Sequence, residues 1–127
     1  MMPRQAIETA EKSSLHVQAP GARLYYDVSG SGPVLLLIPG GAADADIFTP
    51  IVAPLAEHYT VVRYDPRGIS RSRLDGPAED VPVELHADDA QRLLKAIGSE
   101  PAYALGSSGG AVIGLALAER HPELVQT

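Results

Sequence analysis

The feature that most limits this chain's fold is a run of five apolar residues, "VLLLI" at Val34–Ile38, closed by Pro39-Gly40-Gly41. The run does not alternate apolar with polar. A strand built from it must be buried on both faces, as in a parallel sheet with helices on either side. The flanking segments agree. "LHVQA" (15–19) and "ARLYYDVS" (22–29) are strand-like and joined at Pro20-Gly21, which predicts an antiparallel hairpin. "TVVRY" (60–64) and "PAYAL" (101–105) predict two more strands. A short helix is expected over Thr49–Glu57, with Thr49 as its cap, Pro50 in its first turn and Pro54 as a kink. Ala90, Leu93, Leu94 and Ile97 share one face of a helix over 84–97 that Gly98 stops. A third helix is expected over 109–121, before Pro122. Residues 66–83 read as a long polar loop containing Pro66, Pro77 and Pro82. Strands alternating with helices imply right-handed parallel crossovers. Three loops then gather at the carboxyl edge of the sheet, where such folds place their sites: 39–46, 65–72 and 106–109.

Composition narrows the function classes. The 127 residues suit one domain, and a net charge of −6 leaves no cationic excess for nucleic acid or anionic membranes. There are no cysteines, which removes disulfides, thiolate metal sites and a cysteine nucleophile, and fits a reducing compartment. Val34–Ile38 is far too short to span a bilayer. The opening "MMPRQAIETAEKSS" lacks the apolar centre of a signal peptide. It reads as a flexible leader over 1–13, with the folded part over 14–127 and a cytoplasmic location.

The candidate chemistry lies in "LGSSGGAVIG" (105–114), between a strand and a helix. A sharp strand-to-helix turn strains its central residue and lifts that side chain above the sheet. The residues two before and two after must be small, because strand and helix backbones nearly touch there. Centring the turn on Ser108 puts Gly106 and Gly110 at those positions; centring it on Ser107 puts Leu105 at one of them. Sterics therefore select Ser108 as a nucleophile. A phosphate-cradling loop is the competing reading, but the G-x-G-x-x-G spacing and the lysine of a P-loop are absent.

Three segments together resemble the α/β-hydrolase superfamily, in the N-terminal half of its esterase, lipase and perhydrolase-like members. "LLLIPGG" (35–41) resembles the segment after the third strand, "VVRYDPRGISRS" (61–72) the block after the fourth, and "YALGSSGGAVIGLALAERHPELV" (103–125) the fifth strand, nucleophile elbow and following helix. The resemblance implies an α/β fold with a mostly parallel sheet of about five strands, its first two an antiparallel hairpin. It implies ester or related acyl chemistry through an acyl-enzyme on Ser108, a small-molecule substrate, and no cofactor or metal. It makes Gly109 and Gly41 the two oxyanion-hole amides. Pro39 stands where the family often has His, and Ser70 where it usually has Gly. Asp65 and Arg67 are expected to tie loops together near the site rather than to react.

In this family the acid and then the His follow the nucleophile in chain order, and neither has a counterpart before Thr127. His16, His58, His86 and His121 are each expected away from the carboxyl edge beside Ser108, in surface or capping roles. Two readings follow. One is a serine hydrolase of which this chain is an N-terminal piece, inactive alone. The other is a non-catalytic half-fold acting as a binding or assembly module, with an exposed strand edge at 101–105 inviting self-association or a complementing chain. Hydrolase, lyase and perhydrolase chemistry are not separated by these residues.

Overall fold

The computed structural model describes residues 15–98 and 100–126, so the leader expected over 1–13 lies outside the described residues. In chain order the elements are β1 (Leu15–Ala19), β2 (Ala22–Ser29), β3 (Val34–Ile38), helix α1 (Thr49–Ala56), β4 (Thr60–Tyr64), the two-residue β5 (Arg73–Leu74), α2 (Val83–Ile97), β6 (Tyr103–Gly106) and α3 (Gly109–Arg120). The sheet runs β1-β2-β4-β3-β6, with β5 joined to β2. Its centre is parallel: Leu36 lies opposite Val62 of β4 and Ala104 of β6. The hairpin side is antiparallel, since β2 pairs in that sense with β1, β4 and β5. The expected architecture is present as a mixed sheet.

β3 shows why an unalternating apolar run belongs at the centre. Leu36 and Ile38 face a core with Val62 and Tyr64 of β4, Leu93 of α2, and Ile113 and Leu117 of α3. Leu35 and Leu37 face the other way, onto Val61, Phe48 and the half-buried Val52 and Leu55 of α1. Both faces are covered, so neither set of alternate residues has a polar environment to meet.

Three boundaries differ from the sequence expectations. Thr49 is the first residue of α1 rather than its cap, and its Oγ1 accepts a hydrogen bond from Arg63 Nη1 at 2.9 Å. The 66–83 loop contains β5, where Ala22 pairs with Leu74. The last strand is displaced to Tyr103–Gly106, because Ala102 already bridges Val125: its N–H donates to Leu124 O and its carbonyl accepts from Gln126 N, both at 2.7 Å. The edge expected at 101–105 is therefore partly covered. Tyr103 and Leu105 remain 41% and 45% exposed.

A buried ion pair fastens a loop to this frame. Arg67 donates from Nε and Nη2 to the two oxygens of Asp89 on α2, at 2.7 and 2.8 Å, and Nη2 also reaches Pro20 O in the β1–β2 turn at 2.8 Å. Burial of Arg67 and Asp89 is nearly complete. The hydroxyl of Tyr64 is buried with no hydrogen-bond partner among the described residues. Burial first, and then the Asp89 charge, push its pKa well above the ordinary value.

Asp89→Ala would strand the Arg67 guanidinium in the interior. Urea unfolding is expected to show a loss of about 3–5 kcal/mol. Asp88→Ala, next door but paired with Arg120 at the surface, is expected to move the midpoint little.

Candidate active site at the carboxyl edge of the sheet

The backbone at the end of β6 makes the strained turn that the spacing of glycines predicts. Ser108 has φ +55° and ψ −118°, a combination that costs a residue with a side chain on the order of 1–3 kcal/mol. Hydrogen bonds fix the turn on both sides. Ser107 N donates to Ile38 O at 3.1 Å, Gly110 N to Ser107 O at 2.8 Å and Ala111 N to Ser108 O at 2.9 Å. The small residues are there for room. A Cβ on Gly106 would run into the Gly110 carbonyl group, and one on Gly110 into the Ile38 carbonyl. Ser107 thus serves the turn through its backbone, and Ser108 is the exposed residue at the amino end of α3.

The loop after β3 closes on the same point. A Cβ on Gly40 would meet Ser107 O and would lie 2.7 Å from Gly109 N. The Cβ position of Gly109 lies 3.6 Å from Gly41 N, which brings the two glycines together. Gly41 has φ +58° and open space around its Cβ position, so backbone conformation rather than crowding calls for glycine there. Neither the Gly41 nor the Gly109 amide has a hydrogen-bond acceptor among the described residues. Two unengaged N–H groups side by side at a helix amino terminus can receive an oxygen that carries negative charge.

Asp65, at the end of β4, holds this loop. Fully buried, its carboxylate accepts from Ala45 N at 2.9 Å, from Arg71 N at 2.9 Å, and from Arg71 Nε and Nη2 at 2.7 and 2.9 Å. The guanidinium sits 4.0 Å from the Tyr25 ring centroid. Hydrogen bonding to Asp65, first among several causes, drives the Arg71 pKa up. Asp65 and Arg67 both tie loops, as expected, but each to a different partner. Ser70, at φ +45°, takes the conformation that glycine usually supplies and donates to Asp44 Oδ2 at 2.7 Å. That bond, ahead of one from Asp46 N, holds the Asp44 carboxyl below the ordinary range.

An open cleft of about 360 Å³ lies beside the two glycines. Gly41 and Gly109 line it, together with Val83 and His86 of α2 and Val112 and Ile113 of α3. Its single titratable side chain is His86. Desolvation lowers the His86 pKa below 6.5, with Asp89 raising it and Arg67 lowering it by smaller amounts. Among the described residues, no three His, Asp or Glu side chains are grouped to hold a metal ion. None of the described helices is long and apolar enough to cross a membrane.

The sequence profile for the alpha/beta hydrolase fold matches residues 33–127. The chain belongs to the α/β-hydrolase fold family. Among relatives of this hydrolase family it is 56% identical over 109 residues to the uncharacterized hydrolase YraK of Bacillus subtilis (strain 168), covering 86% of this chain and 40% of YraK. A Pseudomonas aeruginosa structure provisionally named an epoxide hydrolase superposes with TM-score 0.82 at 35% identity, covering 89% of this chain and 38% of the other. Est816, described as an N-acyl homoserine lactone degrading enzyme, gives 0.81 at 32% identity, covering 87% and 42%. The chain thus spans about 40% of the length of YraK.

Within this α/β-hydrolase framework the histidines fall as expected with one correction. His16 packs edge-on to the Tyr25 ring with centroids 5.7 Å apart. His58 precedes β4, at the opposite edge of the sheet from Asp65. His121 follows α3 and bonds Asp88 at 3.0 Å. His86 does not stay away from the carboxyl edge: it shares the cleft with Gly41 and Gly109. The available signal was its place in the first turn of the helix that follows the carboxyl-edge loop of β4.

Ser108→Gly would release the strained conformation. It is expected to raise unfolding stability by about 1 kcal/mol in urea titration. Gly106→Ala, which forces backbone apart, is expected to lower it by more than Gly109→Ala, whose Cβ makes only ordinary contacts. By NMR, His86 should titrate with a midpoint below 6.5. Because the fold disfavours its charged form, the stability it contributes is full above 6.5 and declines as pH falls from 6.5 toward the folded midpoint.

Proposed function

We propose that the chain carries the nucleophile and oxyanion hole of a serine hydrolase acting on ester or related acyl bonds. Ser108 Oγ attacks the acyl carbon, and the carbonyl oxygen takes the charge between the Gly41 and Gly109 amides. The leaving alcohol departs with a proton, and water then releases the acid and regenerates the hydroxyl. The observation carrying this reading is the strained, exposed Ser108 at the amino end of α3 beside two unengaged amides. An epoxide hydrolysis of the aspartate-using kind would require a carboxylate where Ser108 stands. The reaction needs a base held by an acid, and His16, His58 and His121 are placed elsewhere in the fold. In this reading both come from a segment matching the part of YraK that this chain does not span, and the chain by itself is inactive. The reaction calls on no cofactor, and the cysteine-free composition suits a cytoplasmic location.

A fluorophosphonate probe tests this on a chimaera that continues the chain with the YraK segment following its matched region. Labelling is expected, lost in Ser108→Ala and kept in Ser107→Ala. Labelling that survives Ser108→Ala, or a folded chimaera that stays unlabelled, contradicts the reading.

A second reading, as a binding or assembly module, is favoured by the β6 edge. Beyond the single bridge at Ala102, β6 has β3 as its strand partner among the described residues, and Tyr103 and Leu105 are exposed beside it. Such an edge pairs with other chains. Sedimentation of the chain over a range of concentrations should show self-association. A monodisperse monomer throughout would rule out pairing between copies.

A further inference from the structure

We propose that Ser70 is a positioning residue for the oxyanion hole, acting through Asp44 on the loop that presents the Gly41 amide. The inference goes beyond the reading of Gly41 as an oxyanion donor and rests on it.

The bonds within that loop show where it is held. Gly41 follows Gly40, which is packed against the Ser107 carbonyl and Gly109 N. Ala43 N donates to Gly40 O at 3.1 Å, closing a tight turn with Gly41 inside it. Asp44 comes directly after the turn. Its Oδ1 accepts from Asp46 N at 2.9 Å, a bond local to the loop. Its Oδ2 accepts from Ser70 Oγ at 2.7 Å, and that bond ties Asp44 to the loop after β4. Asp44 is a carboxylate at pH 7, so the bond is charge-assisted and directional. The next anchor is Ala45 N on Asp65 Oδ1 at 2.9 Å. With Asp44 released, Gly41, Ala42 and Ala43 would hang between Gly40 and Ala45, and the Gly41 N–H could turn away from that of Gly109.

The serine itself supplies the second argument. At φ +45° its backbone conformation suits glycine, so a side chain there is strained. The bond it makes is exposed, where water competes for both partners and the gain in stability is small. Stability therefore does not account for a serine at this position. Placement of the Asp44 carboxylate does.

Ser70→Ala and Ser70→Gly separate the two roles, because both lack the hydroxyl but only glycine suits the positive φ. In this chain Ser70→Gly is expected to unfold at higher urea than Ser70→Ala. The Gly41 amide resonance is nevertheless expected to shift alike in both variants and in Asp44→Ala, while that of Ala111, in the turn around Ser108, stays in place. In the chimaera with the YraK segment, both Ser70 variants should lower kcat for p-nitrophenyl acetate about tenfold at unchanged KM, since a displaced oxyanion donor costs less than the roughly hundredfold of a lost one. Asp44→Asn, whose amide can bond both Asp46 N and Ser70, should keep most of the turnover. Adding Ser70→Ala to Asp44→Ala should cost nothing further. A Gly41 resonance unmoved by Ser70→Ala, an unaltered kcat, or a loss present in Ser70→Ala and absent in the more stable Ser70→Gly would overturn the role. A folded chimaera that stays unlabelled instead contradicts the Ser108 reading, and the Gly41 resonance in this chain still decides whether Ser70 holds the loop.

Discussion

The contact on which the rest of this structure depends is backbone against backbone, where the end of β3 meets the turn from β6 into α3. Gly40 lies against the Ser107 carbonyl, Gly106 against Gly110, and Gly110 against the Ile38 carbonyl, with no space for a Cβ at any of the three. This approach forces the positive φ of Ser108 and exposes its side chain. It also brings Gly41 beside Gly109. Strain in one residue and proximity of two amides are thus consequences of a single packing constraint. The stability given up at Ser108 is offset by the tightly packed strands beneath it.

A second layer of interactions keeps the loops in place around that contact. Asp65 binds the loop after β3 through Ala45 N and the loop after β4 through Arg71, and the Ser70–Asp44 hydrogen bond links the same two loops again. Arg67, two residues from Asp65, instead anchors the β4 loop to α2 and to the β1–β2 turn. Charged side chains at this edge hold geometry. The groups of this chain that meet a substrate in the proposed chemistry are one hydroxyl and two amides.

Much of this was legible in the residues. Local patterns carry local information: Val34–Ile38 announces a strand covered on both faces, and the glycines at 106 and 110 single out Ser108 over Ser107. What escaped depended on contacts distant in sequence. β5 has only two residues and exists because Ala22 and Arg23 are there to pair with it. The Asp65–Arg71 and Arg67–Asp89 partnerships could not be told apart from the alternatives by spacing. His86 looked like an unremarkable residue in a helix's first turn. It reaches the cleft because the long loop after β4 delivers the amino end of α2 next to that of α3, which no periodicity encodes.

The most direct measurement of the central claim is a crystal structure of the phosphonylated chimaera. The account predicts phosphorus bonded to Ser108 Oγ and one phosphoryl oxygen within hydrogen-bonding distance of both the Gly41 and Gly109 amides, with the Ser108 φ still positive. An adduct on another residue, or an oxygen turned away from both amides, would contradict it.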